Sequence, residues 1–179
     1  MAAGCTGKTK GDPTSATTAP PTVSSQGGAP PITGLELSLD KFKGDPCTIL
    51  TAGQVSQLGK MDPAKREDRP GEPVCTWNPT DIPNVSYSVV ISTKTLNDYY
   101  ENKGSFSAFE PTEVAGYPAV NFSQLDLKAG DCNTLIGLGK STALLVQTTS
   151  TKGAPNYGTP CKNTEKAAAL ALETIKRSQ

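Results

Sequence analysis

The chain has 179 residues, with 17 Lys+Arg against 17 Asp+Glu, five Cys and no His. The missing imidazole excludes Ser-His-Asp and Cys-His nucleophile systems, His-ligated metals and imidazole proton shuttles. The balanced charge, with no basic stripe interleaved with aromatics, excludes nucleic acid as a partner. No apolar run reaches the roughly 18 residues that mark a membrane span, so attachment to a bilayer rests on Cys5 alone.

At the N-terminus, Met1-Ala2-Ala3-Gly4-Cys5 resembles the end of a bacterial lipoprotein signal peptide, with small residues before a Cys. Ala2 stands three residues before the Cys, where Leu is commoner. The resemblance implies that Cys5 is lipidated and that the protein sits on the outer face of the cell membrane. Residues 6–33 contain only Val23 and Ile32 as large apolar side chains, among Thr, Ser, Pro, Gly and Ala. Such a segment buries too little surface to offset the entropy of ordering it, and it reads as a disordered tether. Residues 34–179 have the length of one domain.

Within that domain, Asp45 N-caps a short helical turn whose first residue is Pro46. Thr51 then caps a helix from Ala52 to Leu58, with Val55 and Leu58 inward and Gly59 stopping it. Lys60 to Gly71 reads as a charged loop between prolines. A cationic cluster of Lys65, Arg66 and Arg69 is interrupted by acids, which favours a solvated loop over an anion site. Strand signals follow in Val74-Cys75-Thr76-Trp77 and in residues 85–92, rich in β-branched and aromatic side chains. Thr95 caps a helix over residues 96–102. Short strands at residues 112–115 and 119–123 flank Gly116-Tyr117-Pro118, and residues 132–138 and 141–150 form a closing hairpin. Residues 161–177 make the longest helix, with Cys161, Ala168, Leu172 and Ile175 along one stripe. The expected fold is α+β: an antiparallel sheet with short N-terminal helices and a C-terminal helix packed on one face.

Apart from Cys5, the cysteines are Cys47, Cys75, Cys132 and Cys161, widely spaced and without a C-x-x-C pair. Two disulfides follow, and four cysteines allow three connectivities. Loops of similar, moderate length favour Cys47–Cys75 with Cys132–Cys161. Trp77 shares its sheet face with Cys75 and should pack on that disulfide.

The order of these pieces carries a resemblance. Asp45-Pro46-Cys47, Ile49-Leu50-Thr51 with its helix, Cys75-Thr76-Trp77, Gly116-Tyr117-Pro118-Ala119, Cys132, and Pro160-Cys161 opening an Ala/Leu-rich helix together resemble the DUF3558 family over residues 37–177. The resemblance implies an actinobacterial cell-envelope lipoprotein of unassigned function, with the four matching cysteines in disulfides. The layout is also distantly similar to the extracellular sensor domains of mycobacterial Ser/Thr kinases. Neither resemblance supplies a catalytic residue.

Candidate chemistry is sparse. Gly137-Leu138-Gly139-Lys140-Ser141-Thr142 suggests a phosphate loop, but Thr134 stands where its first Gly belongs and a strand follows where a helix is needed, so it reads as a hairpin turn. Glu110 with Glu113, or Asp126 with Asp131, are the carboxylate pairs that a glycosidase-like mechanism would use. Asn84 and Asn121 head glycosylation sequons, incidental in a bacterial lipoprotein. Tyr99, Tyr100 and Tyr117, with Phe106, Phe109 and Phe122, are core residues or the lining of a ligand groove. These observations lead to the expectation of a lipid-anchored, extracytoplasmic binding or sensor-like domain without catalysis, cofactor or metal. Its partner would be a small ligand or an envelope protein. The alternative is a carboxylate-dependent enzyme acting on cell-wall sugars or peptides.

Overall fold

The computed structural model of the chain describes residues 1–3, 28–155 and 157–179. Cys5 and most of the expected tether lie outside the described residues. The domain opens with α1 (Asp40–Lys43), a 3-10 turn (Pro46–Ile49) and α2 (Ala52–Leu58). Then come β1 (Lys65–Arg69), β2 (Glu72–Trp77), β3 (Val85–Ser92), α3 (Leu96–Glu101) and a second 3-10 turn (Lys103–Ser105). It closes with β4 (Ala108–Val114), β5 (Tyr117–Ser123), β6 (Asp131–Gly139), β7 (Thr142–Ser150) and α4 (Pro160–Arg177).

The caps behave as their residue types dictate. Asp45 accepts from the Cys47 amide ahead of Pro46. Thr51 forms a reciprocal capping box with Gln54 at the start of α2, and Thr95 does the same with Asp98 at the start of α3. The strands form a seven-stranded sheet in the order β1-β2-β3-β7-β6-β5-β4, antiparallel throughout. The fold is therefore the expected α+β arrangement, with disulfides Cys47–Cys75 and Cys132–Cys161.

Because side chains alternate along a strand, the sheet has two apolar faces. One carries Cys75, Trp77, Tyr87, Val89, Ile91, Tyr117, Ile136, Leu144 and Val146, and is covered by Phe42 of α1, Ile49, Leu58 of α2 and the Ala167, Ala168, Ala171, Leu172 and Ile175 stripe of α4. Trp77 and Cys75 do share this face and cluster. The other carries Val74, Val90, Val120, Phe122, Leu135, Ala143 and Leu145, with Leu96 and Tyr100 of α3 against it. The N-terminal helices and α4 thus lie on one face, and α3 alone goes to the opposite one.

Residues 65–69 form a strand, not the expected charged loop. Lys-Arg-Glu-Asp-Arg has no apolar alternation to reveal it, because β1 is an edge strand exposed at every residue. Charged side chains on such an edge keep other chains from adding to it. At the other edge, β4 begins at Ala108, earlier than the expected residue 112. The chain is in contact with the domain from Ala29 onward. Its amide donates to Asn97 Oδ1 (3.4 Å), the Leu35 carbonyl accepts from the Tyr117 hydroxyl (2.7 Å), and the Leu37 amide donates to the Leu138 carbonyl (2.9 Å). Residues 28–39 are thus a strap that crosses the end of the sheet from the α3 face to the α4 face.

Candidate functional site

The expected groove of Tyr99, Tyr100 and Tyr117 is not formed, because the structure places these residues on opposite faces. Tyr117 is in phase with Ala119 on β5 and out of phase with Phe122, so it is buried under α4, where Lys176 Nζ lies 4.9 Å from its ring centroid. Tyr99 and Tyr100 are on α3. Their rings join Phe106, Phe109 and Phe122 in a self-filling aromatic cluster, with Tyr100 edge-on to Phe109 at 5.1 Å. Burial pushes the hydroxyls of Tyr87, Tyr99 and Tyr100 above the usual tyrosine value, and the Glu72 charge adds to the effect at Tyr99. The Tyr100 hydroxyl is buried with no hydrogen-bond partner among the described residues. Strand periodicity alone separates Tyr117 from Phe122, since the two are five residues apart on one strand.

The candidate carboxylate pairs are also apart. Glu110 and Glu113, three residues apart on β4, are exposed and face opposite sides of the sheet. Asp126 accepts from the Lys128 amide (2.9 Å) and Asp131 from the Thr149 hydroxyl (2.9 Å), each in a local turn or cross-strand bond. Lys140 and Ser141 are the two-residue turn of the β6–β7 hairpin, so no helix follows the Gly-Lys-Ser-Thr run. Asn121 is buried, donating to Glu165 (2.7 Å) and accepting from Thr134 (2.7 Å), which closes its sequon to modification. Of the cationic cluster, Arg66 bonds Asp68 (2.8 Å) and the Gly44 carbonyl, and Arg69 pairs with Glu67 at 3.4 Å. Among the described residues there is no group of three or more His, Cys, Asp or Glu placed to hold a metal ion, and no helix long and apolar enough to cross a membrane.

A cleft that no sequence motif announces lies at one end of the sheet, with a volume of about 570 Å³. Its position follows from the topology. With β1, β2, β3 and β7 adjacent and antiparallel, the β1–β2 turn, the end of β3 and the β6–β7 turn arrive at the same end. Leu39, Pro73 and Ile91 supply apolar surface, Ser38, Asp40 and Lys43 come from the strap and α1, and Arg69 and Gly71 from the β1–β2 turn. Ser92, Thr93, Ser141 and Thr142 add four hydroxyls. Lys43 pairs with Asp40 at 2.6 Å, and the hydrogen bond from Lys43, then that from Ser38, holds the Asp40 carboxyl below the usual range. Both partners are largely exposed, so this pair is easily opened. The cleft's lining thus combines apolar surface with hydroxyls and charged groups. Its residues come from four separate stretches of sequence, each unremarkable in isolation.

No curated protein matches the chain. The sequence model of a family described as a protein of unknown function, DUF3558, matches residues 1–174, and the chain belongs to that family.

Proposed function

We propose that this protein is a lipid-anchored, extracytoplasmic binding domain without catalysis, and that its ligand occupies the cleft at the sheet end. The cleft is the observation that carries the reading. Its volume lies in the usual range for small-molecule sites, and apolar surface with a few convergent polar groups is their usual lining. Two disulfides suit an oxidising, extracytoplasmic setting. The family match starts at residue 1 and so takes in Cys5 and the Thr/Ser/Pro-rich segment, which supports reading both as part of the protein's design.

Two experiments test the proposal. Native mass spectrometry of protein recovered gently from its own cell envelope should find a mass that disappears on denaturation and is absent from Ser141→Trp, in which an indole at the exposed hairpin turn blocks the cleft. A bare native mass, or one unaffected by Ser141→Trp, would overturn the cleft assignment. Fractionation tests the anchor: the precursor should partition with membranes and Cys5→Ala should be released, whereas a variant still in the membrane fraction would refute it.

A further inference from the structure

The opposite face of the domain carries a second, smaller hollow, of about 370 Å³, bordered by Lys94, Asp98, Tyr99, Asn102, Ser105 and Phe106. The Tyr99 and Phe106 rings are parallel to within 2°, with centroids 5.7 Å apart. Phe122 lies beneath them, 4.9 Å from one and 4.7 Å from the other, tilted by 52° and 55°. Phe122 is 7% exposed, so the two half-buried, offset-stacked rings rest on a fixed support and make a stepped aromatic shelf.

The polar rim of this shelf keeps unused hydrogen-bonding groups. Asp98 spends Oδ2 on the Thr95 amide and hydroxyl, which leaves Oδ1. Asn102 donates one Nδ2 proton to the Asp98 carbonyl, which leaves its second Nδ2 proton and Oδ1. Ser105 donates its hydroxyl proton to the Asn102 carbonyl, which leaves oxygen lone pairs. Three acceptors therefore remain around an aromatic shelf, with one Asn102 amide proton and the Lys94 ammonium as donors at its edge. The matching ligand presents hydroxyls, which both donate and accept, around its perimeter and a slightly positive C–H face to the electron-rich ring faces. A pyranose ring has both. A phosphate would meet the Asp98 carboxylate, and an alkyl chain would leave the acceptors without partners.

From this geometry we infer that the Tyr99–Phe106 shelf is a carbohydrate subsite that takes one pyranose ring of a glycan. The inference is independent of the cleft, which lies across the turn of residues 92–95 on the other side of the sheet. The test is a titration of isotopically labelled protein with chitotetraose, cellotetraose and maltotetraose, followed through backbone amide shifts. At least one sugar should give saturating shifts at Asp98, Asn102, Ser105 and Phe106. Phe106→Leu keeps the apolar volume but removes the flat ring, and should weaken that binding about ten-fold. Asn102→Ala, which removes one acceptor, should weaken it about five-fold. Unchanged spectra elsewhere confirm that both variants are folded. Absence of shifts with all three sugars, or equal affinity in Phe106→Leu, would overturn the subsite. Shifts confined to Ser38, Arg69 and Ser141 would also overturn it while supporting the cleft.

Discussion

Gln54 ties two helices together with one side chain. Its Oε1 accepts from the Thr51 amide (2.9 Å) and the Thr174 hydroxyl (2.7 Å), while Nε2 donates to the Leu170 carbonyl (2.7 Å). Gln54→Ala should lower unfolding free energy by about 2 kcal/mol in urea denaturation, since it strips a buried cap and leaves partners short of bonds. The spacing of Val55 and Leu58 points to the inner face of α2, and Leu58 is indeed buried. Gln54 at 4% exposure is more buried than Val55 because its amide reaches α4, a partner that local sequence does not specify. Gly130 is a second such residue. Its φ is +82°, and a Cβ there would meet the Ser150 carbonyl and come within 2.5 Å of the Tyr157 ring. Gly130→Ala should therefore cost roughly 3 kcal/mol, well above the average single substitution, by the same measurement. The separation of Tyr117 from Phe122 is of the opposite kind: strand alternation on β5 writes it into the sequence, although a list of nearby aromatics hides it.

Capping chemistry made the positions of α2 and α3 legible, because a Thr with Gln or Asp three residues on satisfies orphan amides whatever the tertiary setting. The face of the sheet that α3 covers was not legible, since that depends on the handedness of its two connections. In α3 the bond from the Thr95 amide, then that from its hydroxyl, holds the Asp98 carboxyl below the usual range. A folded value depressed in this way contributes stability above the ordinary carboxylate value and loses it as pH falls through the folded value. Asp98→Asn should accordingly flatten the acid limb of a stability–pH curve, with the difference from the parent shrinking once both are below that range. Edge strands are the harder case. β1 is held by backbone bonds to β2 and has no buried side chain, so its sequence reads as solvated whether or not it pairs. The cleft was illegible for a related reason, being assembled from turns whose meeting is set by strand order alone.

Across the whole molecule, the helical layer is pinned to the sheet twice. Cys47 in the first 3-10 turn joins β2, and Cys132 on β6 joins the first turn of α4, at separations of 28 and 29 residues. Loops of this length contribute about 3–4 kcal/mol each by restricting the unfolded chain, comparable together to the net stability of many domains. The paired variants Cys47→Ser/Cys75→Ser and Cys132→Ser/Cys161→Ser should lose similar amounts in chemical denaturation; a large inequality would show that native-state packing dominates one of them. At alkaline pH the molecule has a further weakness. Tyr87, Tyr99 and Tyr100 have folded values raised by burial, so their contribution is complete below the ordinary tyrosine value and lost as pH rises through the folded ones. Tyrosinate absorbance in the native protein should therefore lag that of the unfolded chain. The strap of residues 28–39 has a mechanical meaning as well. Any pull applied through the N-terminal segment loads the bonds at Ala29, Leu35, Leu37 and, through Gln179, Ser38 in series. Such bonds peel one at a time instead of resisting together in shear, whereas the first 3-10 turn is held to β2 by the Cys47–Cys75 disulfide. Tension would thus displace Ser38, Leu39 and Asp40, one wall of the cleft, before it disturbed the sheet, so that under the proposed function force on the chain would read out as a change in binding ahead of any loss of fold.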